Sequence, residues 1–435
     1  MDRKKEKIDN FLDEIISEFG DIPKFAYGTK EFNNKVLYSG PSYDKKELAN
    51  AIEALLFGKW AASGENVYKF ERKFSLLIKN KFSVMVNSGS SANLMLITAL
   101  KKYLNWKDND EIILSVVGFP TTLSPIVINN LKPIFIDIEL ETLNFDVTKI
   151  EEKITSKTRA IFVSPVLGNS PDFDKLLELT KRYNIELLLD GCDSLGSKWD
   201  GKELTEYALA STCSFYSSHH ISTLQGGMIS SNDEGLMKIV RSISTWGKEC
   251  WCYGSANMLQ NGSCGNRFDY WLKEQPDVIV DHKYVYGNIG YNVGPIDMQG
   301  AIGLAQLDKI TVFEEKRRIN KQKIENIFID NIVGLKRVLT LDKSDPCWFG
   351  VPIICDDMNL KTKLMCHLED NGIQTRNYFA GNILLHPAYS HLDNWELYPN
   401  ANEVLKKIFF VGCSPSYTED TLNYISEITN KFNNK

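Results

Sequence analysis

The sequence predicts an α/β protein, with a mostly parallel, doubly wound sheet in a large domain and a smaller α/β domain after it. Three observations predict this. Short apolar runs that read as buried strands alternate with stretches of helical periodicity between about residues 82 and 190, the rhythm of parallel strands joined by crossover helices. Polar residues with chemistry to offer stand just past those strands, where open α/β sheets gather their ligands. At 435 residues, 43% apolar and 24% charged, the chain has an ordinary soluble composition and length enough for two cores.

In chain order, residues 1–40 read as an N-terminal extension, 41–308 as the large domain and 309–435 as the small C-terminal domain. Over Lys45–Phe57, Leu48, Ile52, Leu55 and Leu56 share one helical face. The loop Gly58–Gly64 carries Trp60 and leads to a second amphipathic helix that ends near Ile78. A strand, Phe82–Val86, runs into Asn87-Ser88-Gly89-Ser90-Ser91 and then a helix from Ala92 to about Leu104. Strands follow at Glu111–Val117, Pro133–Ile138 and Arg159–Ser164, and a helix at Asp172–Tyr183. The apolar run Ile185–Leu189 delivers Asp190, and Ser211–Tyr216 leads to a polar turn with His219 and His220, then Gly226-Gly227. Over 247–290 the periodicity breaks, and a long loop there reads as functional or disordered. Beyond it come helices at Asp297–Leu307 and Phe313–Phe328, a strand near Val351–Cys355 and a helix near Leu360–Asn371.

Several classes are excluded as expectations. A net charge of −6 gives no general attraction to nucleic acid or to an anionic membrane. No run of eighteen apolar residues occurs, so no transmembrane helix is predicted. The first twenty residues lack the apolar core of a signal peptide, which points to the cytoplasm. Nine cysteines in such a chain read as thiols or metal ligands rather than disulfides.

Ser88-Gly89-Ser90-Ser91, between a strand and a helix start, offers backbone N–H groups, hydroxyls and a helix dipole to a phosphate. An ordinary Ser N-cap explains the same residues. Asp190 at a strand end could face a protonated ring nitrogen, and Phe119 just past another strand could stack on a ring; each is also a common structural feature. Taken with Ile289-Gly290-Tyr291-Asn292 and Asp297-Met298-Gln299, these residues resemble the sugar aminotransferase and dehydrase family of fold-type-I pyridoxal-phosphate (PLP) enzymes. The resemblance implies that fold, with Gly89, Ser90 and Ser214 at the cofactor phosphate and Phe119 and Asp193 at its ring. It implies Asp190 at the ring nitrogen and Asn292 reaching the phosphate of a neighbouring subunit, hence a homodimer.

The family's S-F-x-x-x-K tract reads Ser214-Phe215-Tyr216-Ser217-Ser218-His219 here, so a histidine stands at the Schiff-base lysine. Imidazole cannot hold PLP covalently, but it can move a proton, with an ordinary pKa of about 6.5. The resemblance therefore implies pyridoxamine 5′-phosphate (PMP) held non-covalently and loss of the 3-hydroxyl from a 4-keto-6-deoxy sugar nucleotide, with His219 as base. Arg376, Trp60 and His220 are the residues it assigns to the substrate.

Cys192, Cys250, Cys252 and Cys264 form C-x57-C-x-C-x11-C, resembling the 2Fe–2S ligands of the CDP-4-keto-6-deoxyhexose 3-dehydrases. Four thiolates suit 2Fe–2S or tetrahedral zinc equally well by ligand type. The last gap is longer than in the resembled pattern, which makes Cys264 the least closely matched ligand. A cluster beside PMP implies one-electron reduction, and the resemblance implies a CDP-linked substrate and a separate NADH-dependent flavin iron–sulfur reductase. The alternatives are a cluster-free PMP dehydratase that draws its amine from glutamate, and a non-catalytic cofactor-binding homologue.

Overall fold

The computed structural model describes residues 3–20, 22–23, 34–250 and 267–432. Its centre is a seven-stranded sheet of β1 (Phe82–Val86), β2 (Glu111–Ser115), β3 (Lys132–Ile136), β4 (Thr158–Val163), β5 (Glu186–Asp190), β6 (Ala210–Ser214) and β7 (Gly227–Ser231), ordered β1-β7-β6-β5-β4-β2-β3. Strands β3, β2, β4, β5 and β6 pair in parallel. Only β7 runs the other way, antiparallel to both β6 and β1.

Strands β2 to β5 carry apolar runs because both sheet faces are covered. Successive side chains point to opposite faces, and the two cores divide them accordingly. Ile112, Leu114, Ala160, Phe162 and Leu188 belong to one core, while Ile113, Ile161, Val163, Leu187 and Leu189 belong to the other. The larger core also contains α4 (Gly89–Tyr103), α5 (Pro120–Ile128) and α7 (Glu234–Ser244) residues, and α6 (Phe173–Tyr183) packs into the smaller one.

Before this sheet lie α1 (Arg3–Phe19), α2 (Lys45–Phe57) and α3 (Glu65–Leu77); after it come α8 (Asp297–Leu307) and α9 (Ile310–Asn331). Gly64, the residue before α3, has no side chain to cap the helix. The buried Asp297 of α8 does so instead, accepting from the backbone N–H groups of Gly64, Asn66 and Val67 at 2.9–3.0 Å. A second sheet joins β8 (Leu335–Lys336), β9 (Gly350–Cys355), β10 (Thr375–Asn377) and β11 (Ile408–Gly412) in the order β8-β9-β11-β10, all antiparallel. It carries α10 (Met358–Asp370) and α11 (Pro399–Lys407), and α12 (Glu419–Phe432) packs on α9 and α10.

Three differences from the sequence reading bear on the site. The predicted strand Glu111–Val117 leaves the sheet after Ser115, and Val117 bridges to Asn382 instead, which opens the turn that carries Phe119. Gly226-Gly227 is not merely a turn, because Gly227 begins β7. A Cβ on Gly227 would stand 2.2 Å from the carbonyl oxygen of Ser88, so only glycine lets β7 pass the start of α4. Part of the tract 247–290 is ordered into a short hairpin, Phe268–Asp269 against Val280–Asp281. Residues 251–266, with Cys252 and Cys264, lie outside the described residues. Among the described residues no helix is long and apolar enough to cross a membrane.

Candidate active site

Strand β5 ends on Asp190, which is 4% exposed and fixed by three donors. Asn93 of α4 donates Nδ2–H to Oδ2 at 2.8 Å, Thr122 of α5 donates Oγ1–H to the same oxygen at 2.6 Å, and the Cys192 N–H reaches Oδ1 at 3.2 Å. Asn93 is itself oriented by Thr212 of β6, whose hydroxyl donates to Oδ1 at 2.6 Å. Two helices and two strands thus set the direction of one carboxylate.

Next to it, Ser88 caps α4 by accepting from the Ser91 N–H at 3.1 Å. The ordinary N-cap and the phosphate cradle are therefore one feature, since the cap leaves the first-turn N–H groups of the helix pointing outward. Gly89 is pressed against the end of β6. An added Cβ would meet Ser214 Cβ at 2.6 Å and Cys192 Sγ at 3.1 Å.

Gly89, Ser90, Phe119, Asp190, Cys192, Asp193, Ser214, His219 and Arg376 all line one cavity of about 590 Å³. Phe119 stands half exposed at its edge, edge-to-face with Phe379 at 6.2 Å. Arg376 of β10 lies 4.2 Å over the ring of Tyr38. Phe349, Phe379 and Phe410 complete an aromatic wall, with Phe379 stacked on Phe410 at 5.9 Å.

His219 packs its ring against Phe349 at 5.3 Å between centroids, and its Nδ1 approaches Asp193 Oδ1 at 3.5 Å without a hydrogen bond. Burial, and then the nearby Arg317, pulls the imidazole down to about 4. Burial, and then Asp190, pushes the Asp193 carboxyl up to about 7. Between those values both groups are neutral, so their approach is not an ion pair. His220 faces the other way. It is buried, its Nε2 lies 2.8 Å from the carbonyl oxygen of Cys347, and burial holds it well below the ordinary histidine value.

Other expected residues lie elsewhere. His220 and the half-exposed Trp60 do not line the cavity, and neither does the exposed Asn292. Cys192 and Cys250 line different cavities, the latter one of about 200 Å³ with Lys102, Arg241 and Asn288. Among the described residues no group of three His, Cys, Asp or Glu side chains could hold a metal ion. The described residues therefore do not form a 2Fe–2S site, and two of its four expected ligands fall outside them. The sequence reading missed Asn93 and Thr122. Asn93 left one signal, a lone Asn in an otherwise apolar stretch of α4.

A cavity with a saturated carboxylate at a strand end, a helix start pressed against a serine and an aromatic at the rim fits a pyridoxal cofactor. Fold and site define an α/β enzyme of the fold-type-I PLP class. The chain belongs to the DegT/DnrJ/EryC1/StrS aminotransferase family, whose sequence profile matches residues 42–430. It is 34% identical to a dTDP-4-dehydro-2,6-dideoxy-D-glucose 3-dehydratase of Saccharopolyspora spinosa, over 91% of this chain and 86% of that one. It is 33% identical to the lipopolysaccharide biosynthesis protein RfbH of Salmonella typhimurium, over 97% and 96%. Among solved structures, an E. coli GDP-4-keto-6-deoxy-D-mannose-3-dehydratase with bound hydrated PLP superposes with a TM-score of 0.78 at 29% identity, over 91% of this chain and 99% of that one. The first and third of these proteins are named for dTDP- and GDP-linked sugars, where the sequence resemblance implies CDP.

Proposed function

We propose that the chain is a PMP-dependent nucleotide-sugar 3-dehydratase that removes the 3-hydroxyl of a 4-keto-6-deoxyhexose, with His219 as the base. One observation carries this reading. The cavity that gathers Asp190, Ser214 and Gly89 is lined by a histidine and, among the described residues, by no lysine. An aminotransferase uses a chain lysine to hold its cofactor as a Schiff base, released when the amino donor binds. Imidazole forms no such bond, yet it can move a proton.

When bound, the cofactor supplies an amine for the sugar's ketone and an electron sink for the pair that the departing proton leaves behind. Asp190 would meet the ring nitrogen, Phe119 the ring face and Asp193 its flank; Gly89, Ser90 and Ser214 would hold the phosphate. His219 is neutral near pH 7 and ready to accept a proton. With Nδ1 turned to Asp193, Nε2 is the nitrogen left for the substrate. Arg376 suits a nucleotide diphosphate, which it can grip with two parallel N–H donors. Asn292 and Trp60, outside the cavity of one chain, would serve across a homodimer interface, and glutamate would restore the amine.

The test is borohydride reduction of the PLP-loaded protein followed by mass spectrometry. No pyridoxyl-lysine adduct is expected at the site, and finding one there would refute the reading. A second reading is favoured by Cys192, whose thiol lines the cofactor cavity. It adds a 2Fe–2S cluster, a CDP-linked substrate and an external reductase. Anaerobically purified protein that is brown and carries iron and sulfide would install it in place of the cluster-free form.

A further inference from the structure

The mechanism leaves one charged group without a task. Arg317 of α9 is 1% exposed, and among the described residues no carboxylate lies within ion-pair distance of it. Its guanidinium instead donates to three backbone carbonyls. Nη2 reaches His219 at 3.3 Å, and Nη1 reaches Phe349 at 3.2 Å and Trp348 at 3.4 Å. Nε has no partner. Trp348 is held further, because its carbonyl also accepts from the Cys413 thiol at 3.2 Å.

These carbonyls belong to two separate segments. One is the turn after β6 that carries His219. The other is the start of the second sheet's strand β9, which carries the ring packed against the His219 imidazole. A planar guanidinium with a rigid fork of donors fixes the spacing of such segments, whereas an ammonium is a point charge.

We infer that Arg317 is a positioning residue for His219, clamping the backbone of the base and of its packing partner Phe349 so that the imidazole faces the cavity. The inference rests on the reading of His219 as the base. Its charge acts in the same sense, since a buried cation disfavours a second positive charge beside it. The other ionisable groups beside the imidazole are Asp193, whose Oδ1 stands 3.5 Å from Nδ1, and His220, next in sequence.

Two variants separate fork from charge. Arg317→Lys keeps a cation and loses the fork; Arg317→Met loses both. Turnover is measured as formation of the 3-deoxy sugar nucleotide with cofactor and glutamate supplied, and the His219 imidazole is titrated by NMR in the full chain. Arg317→Lys is expected to lower kcat roughly tenfold to a hundredfold at an unchanged KM. Its His219 titration should stay where it is in the parent protein. Arg317→Met is expected to lower kcat as much and to move the His219 titration up by about one pH unit. If Arg317→Met does not fold, Arg317→Lys decides alone. A folded Arg317→Lys protein with parental kcat overturns the inference, and so does an equal loss of kcat, KM and melting temperature, which marks a merely structural cross-link. A fully active His219→Asn protein would instead sink the reading of the base, whatever Arg317 does.

Discussion

The two ends of the cofactor cavity are built to opposite rules. At the β5 end, every feature of Asp190 is fixed: three donors hold its carboxylate, and one of those donors is oriented by a fourth residue. At the turn after β6, His219 has an Nδ1 with no hydrogen-bond partner although it is buried. A buried polar group left unsatisfied costs about 1–3 kcal/mol, so it persists where the surroundings impose it, as at functional sites. On the proposed reading, the group that only holds the cofactor is saturated, while the group that gains and loses a proton is left free at the ring.

The largest expected effect comes from removing the free end. His219→Asn should lower formation of the 3-deoxy product by a factor of about 10²–10⁴, the usual contribution of a general base, and less than a tenfold loss would break the contrast. The pH dependence sharpens it. A base works unprotonated, so activity falls as pH drops through its pKa. With His219 held at about 4, the acid limb of kcat/KM should lie nearer 4 than the ordinary 6.5. The same lowered value means that the neutral imidazole's share of stability is present above about pH 6.5 and is lost as pH falls toward 4.

Asp190→Asn should weaken cofactor binding by about ten- to a hundredfold, as measured by equilibrium dialysis. That is the loss expected from one charge-assisted hydrogen bond of about 1.5–3 kcal/mol. Gly89→Ala places a methyl group against Ser214 and should cost about 1–3 kcal/mol in a denaturant melt, with faster cofactor loss. The smallest effect on turnover belongs to His220→Leu. It removes the bond to Cys347 and should lower stability by about 1–3 kcal/mol, leaving kcat within a few-fold. A dead but stable His220→Leu protein would mean that the two histidines have been read in the wrong order.

Much of this was legible in the sequence, for physical reasons. Strands β2 to β5 announced themselves because burial on both faces demands apolar runs, and Asp190 stands at the end of one of them. Strand β7 was not legible, because its glycine start mimics a turn and its direction depends on neighbours far away in the chain. Helix α7 left local signals that were passed over, an Asp233 cap and Leu236, Val240 and Ile243 on one face. Thr122 and the wall of Tyr38, Phe349 and Phe410 could not be read locally, since their roles exist only once distant segments meet, and Asn93 left only its place in an apolar stretch. Trp60 and Asn292 show the converse. Their motifs were readable, but in one chain they stand away from the cavity.

The cap on α3 carries a consequence for how the chain is made. The helix begins at Glu65, but the carboxylate that satisfies its first N–H groups sits about 230 residues further on, at Asp297. At ribosomal speeds of about 5–20 residues per second, that carboxylate emerges roughly ten to fifty seconds after the helix it caps. Through that interval the start of α3 and the neighbouring loop with Trp60 have only water to satisfy them. A nascent chain arrested before residue 297 should therefore be cut by protease between α2 and α3, and one released after α8 should resist.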